Sequence, residues 1–357
     1  MERIPYNQII IRLVIFVSLI CLIIIGKSVQ ISSQPKITIG LGGDVMIGRG
    51  VNNAISKYGY AYPWGNLIGM LRKPDITLVN LENTFAKNKK AVTQAFNLNA
   101  KPNRVKSLEI AGIDIVNIAN NHIFDFGPQG LNDSINTLND AKIAHIGAGM
   151  NLQTAKKPVI FKENGIVVGI IGYTDNQPEW GATKNKPGIN YLAIGNIEKV
   201  RHDIKAIRNA VDILIVSIHW GPNLQEKPRK DTINFAHQMI DSGVDIIHGH
   251  SSHNFQGIEL YKNKPIFYDT GDLVDDYEVD ANLRNDHSFF YIITTNKKEI
   301  TQIRLFPIVI SNCQSNIAQE EEYRKIIQRM QKLSKPFETT ITKDGLILLN
   351  KEKINPE

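Results

Sequence analysis

The chain has 357 residues, 42% hydrophobic and 21% charged, which suits one large domain or two ordinary ones and excludes global disorder. Its net charge of +6 is spread along the sequence, and no basic run is interleaved with aromatics, so nucleic acid is not an expected partner. The two cysteines are Cys21, inside an apolar stretch, and Cys313; they imply no disulfide framework, and with no Gly-x-Ser-x-Gly elbow, Ser or Cys nucleophile chemistry is disfavoured.

In chain order, the first feature is the apolar run Ile9–Ile25, broken only by Arg12 and Ser18. At 17 residues it is slightly short of the ~20 that usually span a bilayer, but Arg12 lies near one end and can snorkel. Residues 1–26 read as a single-pass signal-anchor helix, with a cleaved signal peptide as the alternative. Arg3 and Arg12 on one side, against Lys27 and Lys36 on the other, favour a cytoplasmic N-terminus and a main domain outside the cell membrane. Residues 27–36 are a polar linker.

From residue 37 a rhythm of strands begins. "ITIGLGGD" ends at Asp44, "DITLVNLEN" near Glu82, "IDIVNIANNH" near Asn121 and His122, and "IVVGIIGYTDN" near Tyr173. "VDILIVSIHWG" ends at His219, "VDIIHGHSSH" at His250 and His253, and "KPIFYDTGD" at Asp272. Helical patterns such as "GPQGLNDSINTLNDA" and "DTINFAHQMIDSG" separate several of these strands. The alternation predicts a layered α/β domain over residues 37–312, and the near-continuous apolar strands predict burial on both faces. Residues 313–357 are expected to add an amphipathic helix, Glu320–Ser334, and a terminal hairpin, both packing on the domain.

In strand after strand, the apolar run stops and a metal-capable or acid–base residue follows. Sites in α/β sheets form outside the carboxyl ends of strands, so Asp44, Glu82, Asn121, His122, His219, His250 and His253 are expected to converge on one rim. Neutral imidazole and carboxylate are common ligands for Zn, Mn or Fe, and the amide oxygen of Asn121 can join them. His248 lies at a strand end and can point the same way. His122 suits an acid–base role, with Asp125 three residues on to orient its ring. Arg49 can grip an anionic substrate group or pair with a carboxylate. Most of the acidic run Asp269–Asp276 reads as solvated, with Asp272 the exception.

The segments "GDVMIGR", "NLEN", "NNHIFDFG", "IHWG", "GHSSH…QGIE" and "YDTGD" occur in the order found in the CapA family of capsule and poly-gamma-glutamate biosynthesis proteins, which the chain resembles from about Lys36 to Ile310. That family is similar in fold to calcineurin-like metallophosphoesterases. The resemblance implies a four-layer α/β sandwich holding one or two divalent ions on Asp44, Glu82, Asn121, His219, His250 and His253. It makes His122 the catalytic-type histidine, assisted by Asp125 and Arg49, and puts Arg49 and Asp272 toward substrate. Relative to the wider phosphoesterase fold, Met46 replaces the histidine of an Asp-x-His motif and Glu82 an Asp, changes the CapA pattern shares; relative to that pattern, Ser251 and Ser252 replace His-Pro, and Asp272 stands where Asn is common. The function implied is a metal-dependent hydrolase or transferase acting on an anionic cell-surface polymer or its precursor, with membrane polymer-synthase subunits as further partners. The alternatives are a non-catalytic accessory subunit of such a synthase and a phosphoesterase with a small-molecule substrate.

Overall fold

Strand residues alternate between two faces, and that alternation builds the layers. The computed structural model describes residues 34–349 apart from 88, 89, 94 and 95. The apolar segment read as a membrane anchor lies outside the described residues; among those described, no helix is long and apolar enough to cross a membrane.

The first sheet contains β1 (Ile37–Val45), β2 (Ile76–Leu81), β3 (Ile115–Asn117) and β4 (Ala144–Ile146), all parallel. The second contains β5 (Val159–Glu163), β6 (Ile166–Thr174), β7 (Ile213–His219), β8 (Ile246–His250), β9 (Ile258–Tyr261) and β10 (Lys264–Phe267), in the order β9-β10-β8-β7-β6-β5. Then β11 (Asp272–Val274), β12 (His287–Thr295), β13 (Ile300–Ser311) and β14 (Gln314–Ile317) return to the first sheet. There the order is β14-β13-β12-β1-β2-β3-β4, with β11 pairing β1.

Inward-facing residues of both sheets share one core. Ile39 and Leu41 of β1 and Ile76 and Leu78 of β2 are buried together with Val168, Ile170, Ile215 and Ile246 of the second sheet. The alternate residues face outward. Val79, Leu81 and Val116 meet helices α1 (Arg49–Tyr58), α2 (Val105–Ala111) and α3 (Gly127–Asp140). Leu214, Val216 and Ile247 meet α4 (Ile197–Ile207) and α5 (Lys230–Asp241). The layers therefore run helix, sheet, sheet, helix. Each fully buried Ile, Leu or Val contributes about 1.5–3 kcal/mol, which two faces per sheet multiply across the molecule.

Helix α6 (Glu320–Ser334) buries Ile326, Ile327, Met330 and Leu333 in the shared core. Beyond it, a bridge between Ile341 and Ile347 closes a short turn. The segment read as one strand ending at Asp272 is two strands in different sheets. The chain leaves β10 after Phe267 and crosses to β1, bending at Gly271, whose φ of 72° suits glycine.

Candidate metal centre

Strand register brings the polar residues together. In the first sheet Asp44 is level with Asn80 on one side and Asp272 on the other, and Asn80 is level with Asn117. In the second sheet His219 is level with His250. Carboxyl ends of parallel strands from two facing sheets, rather than one sheet's rim, therefore supply the site.

Asp44 lies at the centre, fully buried. Its Oδ1 is 3.9 Å from His219 Nδ1 and 3.7 Å from His250 Nδ1. Its Oδ2 is 3.3 Å from His253 Nδ1, which is 2.9 Å from Asp272 Oδ1. Two donor sets result, Asp44–His219–His250 and Asp44–His253–Asp272, each with its ligand atoms within 4.8 Å of one another. Asp44 is common to both.

The outer ring nitrogens are held by other groups. Asn121 Oδ1 is 2.9 Å from His219 Nε2, and Ser217 Oγ and Asn117 Nδ2 are 3.1 and 3.3 Å from His250 Nε2. The Asn121 oxygen accepts the Nε2–H of His219 and leaves its Nδ1 facing inward, while the Asn117 amide and the Ser217 hydroxyl fix the orientation of the His250 ring. The two inner Nδ1 atoms stand 3.0 Å apart, both beside Asp44. Asn80 Nδ2 donates to Asp44 Oδ1 at 2.7 Å, and Asn120 Nδ2 donates to Asn80 Oδ1 at 3.1 Å.

Glu82 is also fully buried, with Oε1 3.8 Å from His253 Nε2, 4.0 Å from His219 Nε2 and 3.8 Å from His122 Nε2. Neither of its carboxylate oxygens, nor Oδ2 of Asp272, has a hydrogen-bond partner among the described residues. Buried carboxylate oxygens without partners are costly unless a cation neutralises them. Carboxylates and imidazoles together suit Zn, Mn or Fe, so the residues fit a divalent ion.

The electrostatics agree. Burial pushes the Asp44 carboxyl up, but the hydrogen bond with His253 and the charges of His219 and His250 outweigh it and hold it below the usual range. Burial pushes His219 down to about 3 and His250 well below its ordinary value. Burial also raises Glu82 and Asp272. It opposes charge on His253, yet the carboxylates of Asp272 and Glu82 prevail and raise that imidazole well above its ordinary value. A field that favours a proton on buried His253 also favours a metal cation.

The remaining expectations sort themselves by contact. His122 Nδ1 is 2.8 Å from Asp125 Oδ2, and Phe96 stacks on the His122 ring with centroids 5.6 Å apart. Arg49 pairs with Asp276 through Nε at 3.0 Å and through Nη2, and lies between the rings of Phe96 and Tyr277. Of its two open roles, the structure fills the carboxylate-pairing one. Asp272, expected toward substrate, is fully buried against His253, because β11 pairs directly with β1. His248 points elsewhere: its Nε2 donates to Gly42 O at 2.9 Å and its Nδ1 lies 3.0 Å from Ser217 Oγ, which ties the two sheets together. Asn80, Asn117 and Ser217 went unread in the sequence; their one signal was a polar side chain inside an otherwise apolar strand.

The model of the family described as Bacterial capsule synthesis protein PGA_cap matches residues 38–277. The chain is similar to a probable polyglutamine synthesis accessory protein of Mycobacterium tuberculosis, at 30% identity over 84% of this chain and 92% of that protein. It is similar to capsule biosynthesis protein CapA of Bacillus anthracis, at 33% identity over 68% of this chain and 61% of that one. PGA biosynthesis protein CapA of Bacillus subtilis is 30% identical over 74% of this chain and 70% of its own length. The matched segment contains every donor from Asp44 to Asp272, and the chain belongs to the PGA_cap family of bacterial capsule synthesis proteins.

Proposed function

We propose that the chain is a metal-dependent hydrolase or transferase of the metallophosphoesterase type. Its substrate would be an anionic extracytoplasmic polymer, of the capsule or poly-gamma-glutamate kind, or the precursor of one. The observation that carries this reading is the shared Asp44, flanked by two buried donor sets and by a Glu82 whose oxygens lack partners. Asp44, His219 and His250 would hold one divalent ion, and Asp44, His253 and Asp272 a second, with Glu82 adjoining both. A divalent ion held there would supply polarisation of a carbonyl or phosphoryl oxygen of the substrate. His122 has the arrangement of a general acid or base: Asp125 takes the Nδ1–H, which leaves Nε2 facing Glu82 to accept or return a proton. Phe96 stacks on one face of the ring. In this reading the segment Ile9–Ile25 anchors the chain in the membrane, with the site outside the cell and within reach of a polymer synthase.

The test incubates the full chain with purified polymer and Mn²⁺ and follows polymer length. His122→Ala is expected to lose at least about 100-fold in rate while keeping its metal. Equal polymer processing by the wild type and His122→Ala would overturn the catalytic reading. A non-catalytic accessory role is favoured by one observation: Met46, buried two residues after Asp44, offers no imidazole. That reading predicts that polymer output in cells survives His122→Ala but not deletion of the chain.

A further inference from the structure

Helix α6 lies beyond residue 277, where the family match ends, yet it reaches the loop that carries His253. Arg329 Nη2 donates to Asn254 Oδ1 at 2.7 Å. Its Nη1 donates to the carbonyl oxygens of Leu283 at 2.5 Å and Arg284 at 3.4 Å. The guanidinium carbon is 4.5 Å from the centroid of the Phe255 ring, and Glu226 is 3.9 Å from Nε. Asn254 and Phe255, both fully buried, follow His253 directly. Leu283 and Arg284 belong to the segment that continues from Asp272 through Tyr277. One side chain thus ties the loop of His253 to the segment downstream of Asp272, two of the three stretches that supply the second donor set.

The fastening has something to hold. Ser251 has φ of 121° and His253 of 56°, values that residues with a Cβ adopt at a cost. Such backbone persists only where its surroundings over-determine it. On one side of the loop, Ser252 N donates to Asp269 Oδ2 at 2.7 Å and Ser252 Oγ to Gln225 O at 2.8 Å. Arg329 holds the other side. Its planar fork bonds three acceptors on two segments while its face lies on an aromatic ring, a combination lysine cannot supply.

We propose that Arg329 is a positioning residue for the set Asp44–His253–Asp272. It fixes the backbone of His253 through Asn254 and Phe255, and so sets the imidazole against Asp272. The proposal rests on the metal reading above.

The test strips the full chain of metal and titrates Mn²⁺ calorimetrically into wild type, Arg329→Met, Arg329→Lys and Arg324→Met, the last an exposed position on the same helix. His219→Ala and His253→Ala assign each ion to its donor set. Arg329→Met is expected to weaken the His253-set ion by about 10–100-fold, the usual cost of losing an outer support, and to leave the His219-set ion within about threefold. Arg329→Lys is expected to fall between, and it carries the comparison if Arg329→Met does not fold. Arg324→Met should match the wild type. Unchanged affinity at the His253 set, or equal weakening at both sets, would overturn the proposal. If the wild type takes up no ion, the metal reading fails on its own. The imidazole resonances of His253 then decide: displacement in Arg329→Met but not in Arg324→Met sustains the positioning role, and unmoved resonances end it.

Discussion

Asp44 presents one carboxylate oxygen to each donor set because its strand ends between β2 and β11, level with Asn80 and Asp272. Asp44→Asn keeps the shape but removes the charge both sets share. It is expected to weaken both ions by more than about 100-fold, beyond the usual effect of outer partners. Metal content of the dialysed protein by mass spectrometry checks this. His248 makes a different prediction. Burial pushes its imidazole down to about 4, against 6.5 in an open chain. Between these values the unfolded chain binds the proton first, so this group makes stability fall as pH drops from 6.5 toward 4 and leaves it unaffected above 6.5. The slope is about 1.4 kcal/mol per pH unit. His248→Gln lacks that titration, so the difference in urea midpoint between wild type and variant should shrink as pH is lowered; a constant difference would contradict it. The strand-end donors were legible in the sequence because a charged or imidazole side chain following an apolar run is conspicuous. His248 looked equally conspicuous, and only the contacts with Gly42 and Ser217 separate it from them.

Between β1 and β11 the backbones approach so closely that a Cβ on Gly43 would meet the Gly271 carbonyl oxygen at 1.7 Å. Backbone must shift to admit it, so Gly43→Ala is expected to cost about 1–3 kcal/mol or more, read from the urea midpoint. Stability equal to that of the wild type would mean the two strands are not in contact. The strand ending at Asp44 and helix α6 could be read from hydrophobic period alone. The break between β10 and β11 could not. In "KPIFYDTGD" the apolar run is Pro265 to Tyr268, and a crossing from one sheet to the other leaves no mark in local pattern beyond Gly271. Asn80, Asn117 and Ser217 were hidden for a related reason. A polar residue in an apolar strand gains its meaning from register across strands, which periodicity does not encode.

Two sheets packed face to face hold the site between rigid layers, with helices sealing both outer faces. An ion bound only by the folded chain stabilises the whole by mass action, about 2.7 kcal/mol at 100 times its Kd. Chelation with EDTA is therefore expected to lower Tm by about 4 °C for each ion removed, measured by scanning calorimetry. Anomalous diffraction from crystals grown with Mn²⁺ tests most directly whether Asp44 joins two ion sites. Two peaks are expected flanking Asp44, one within about 2.0–2.3 Å of His219 and His250 ligand atoms and one equally near those of His253 and Asp272. Crystals at saturating Mn²⁺ with no peak at either carboxylate oxygen of Asp44 would contradict that expectation.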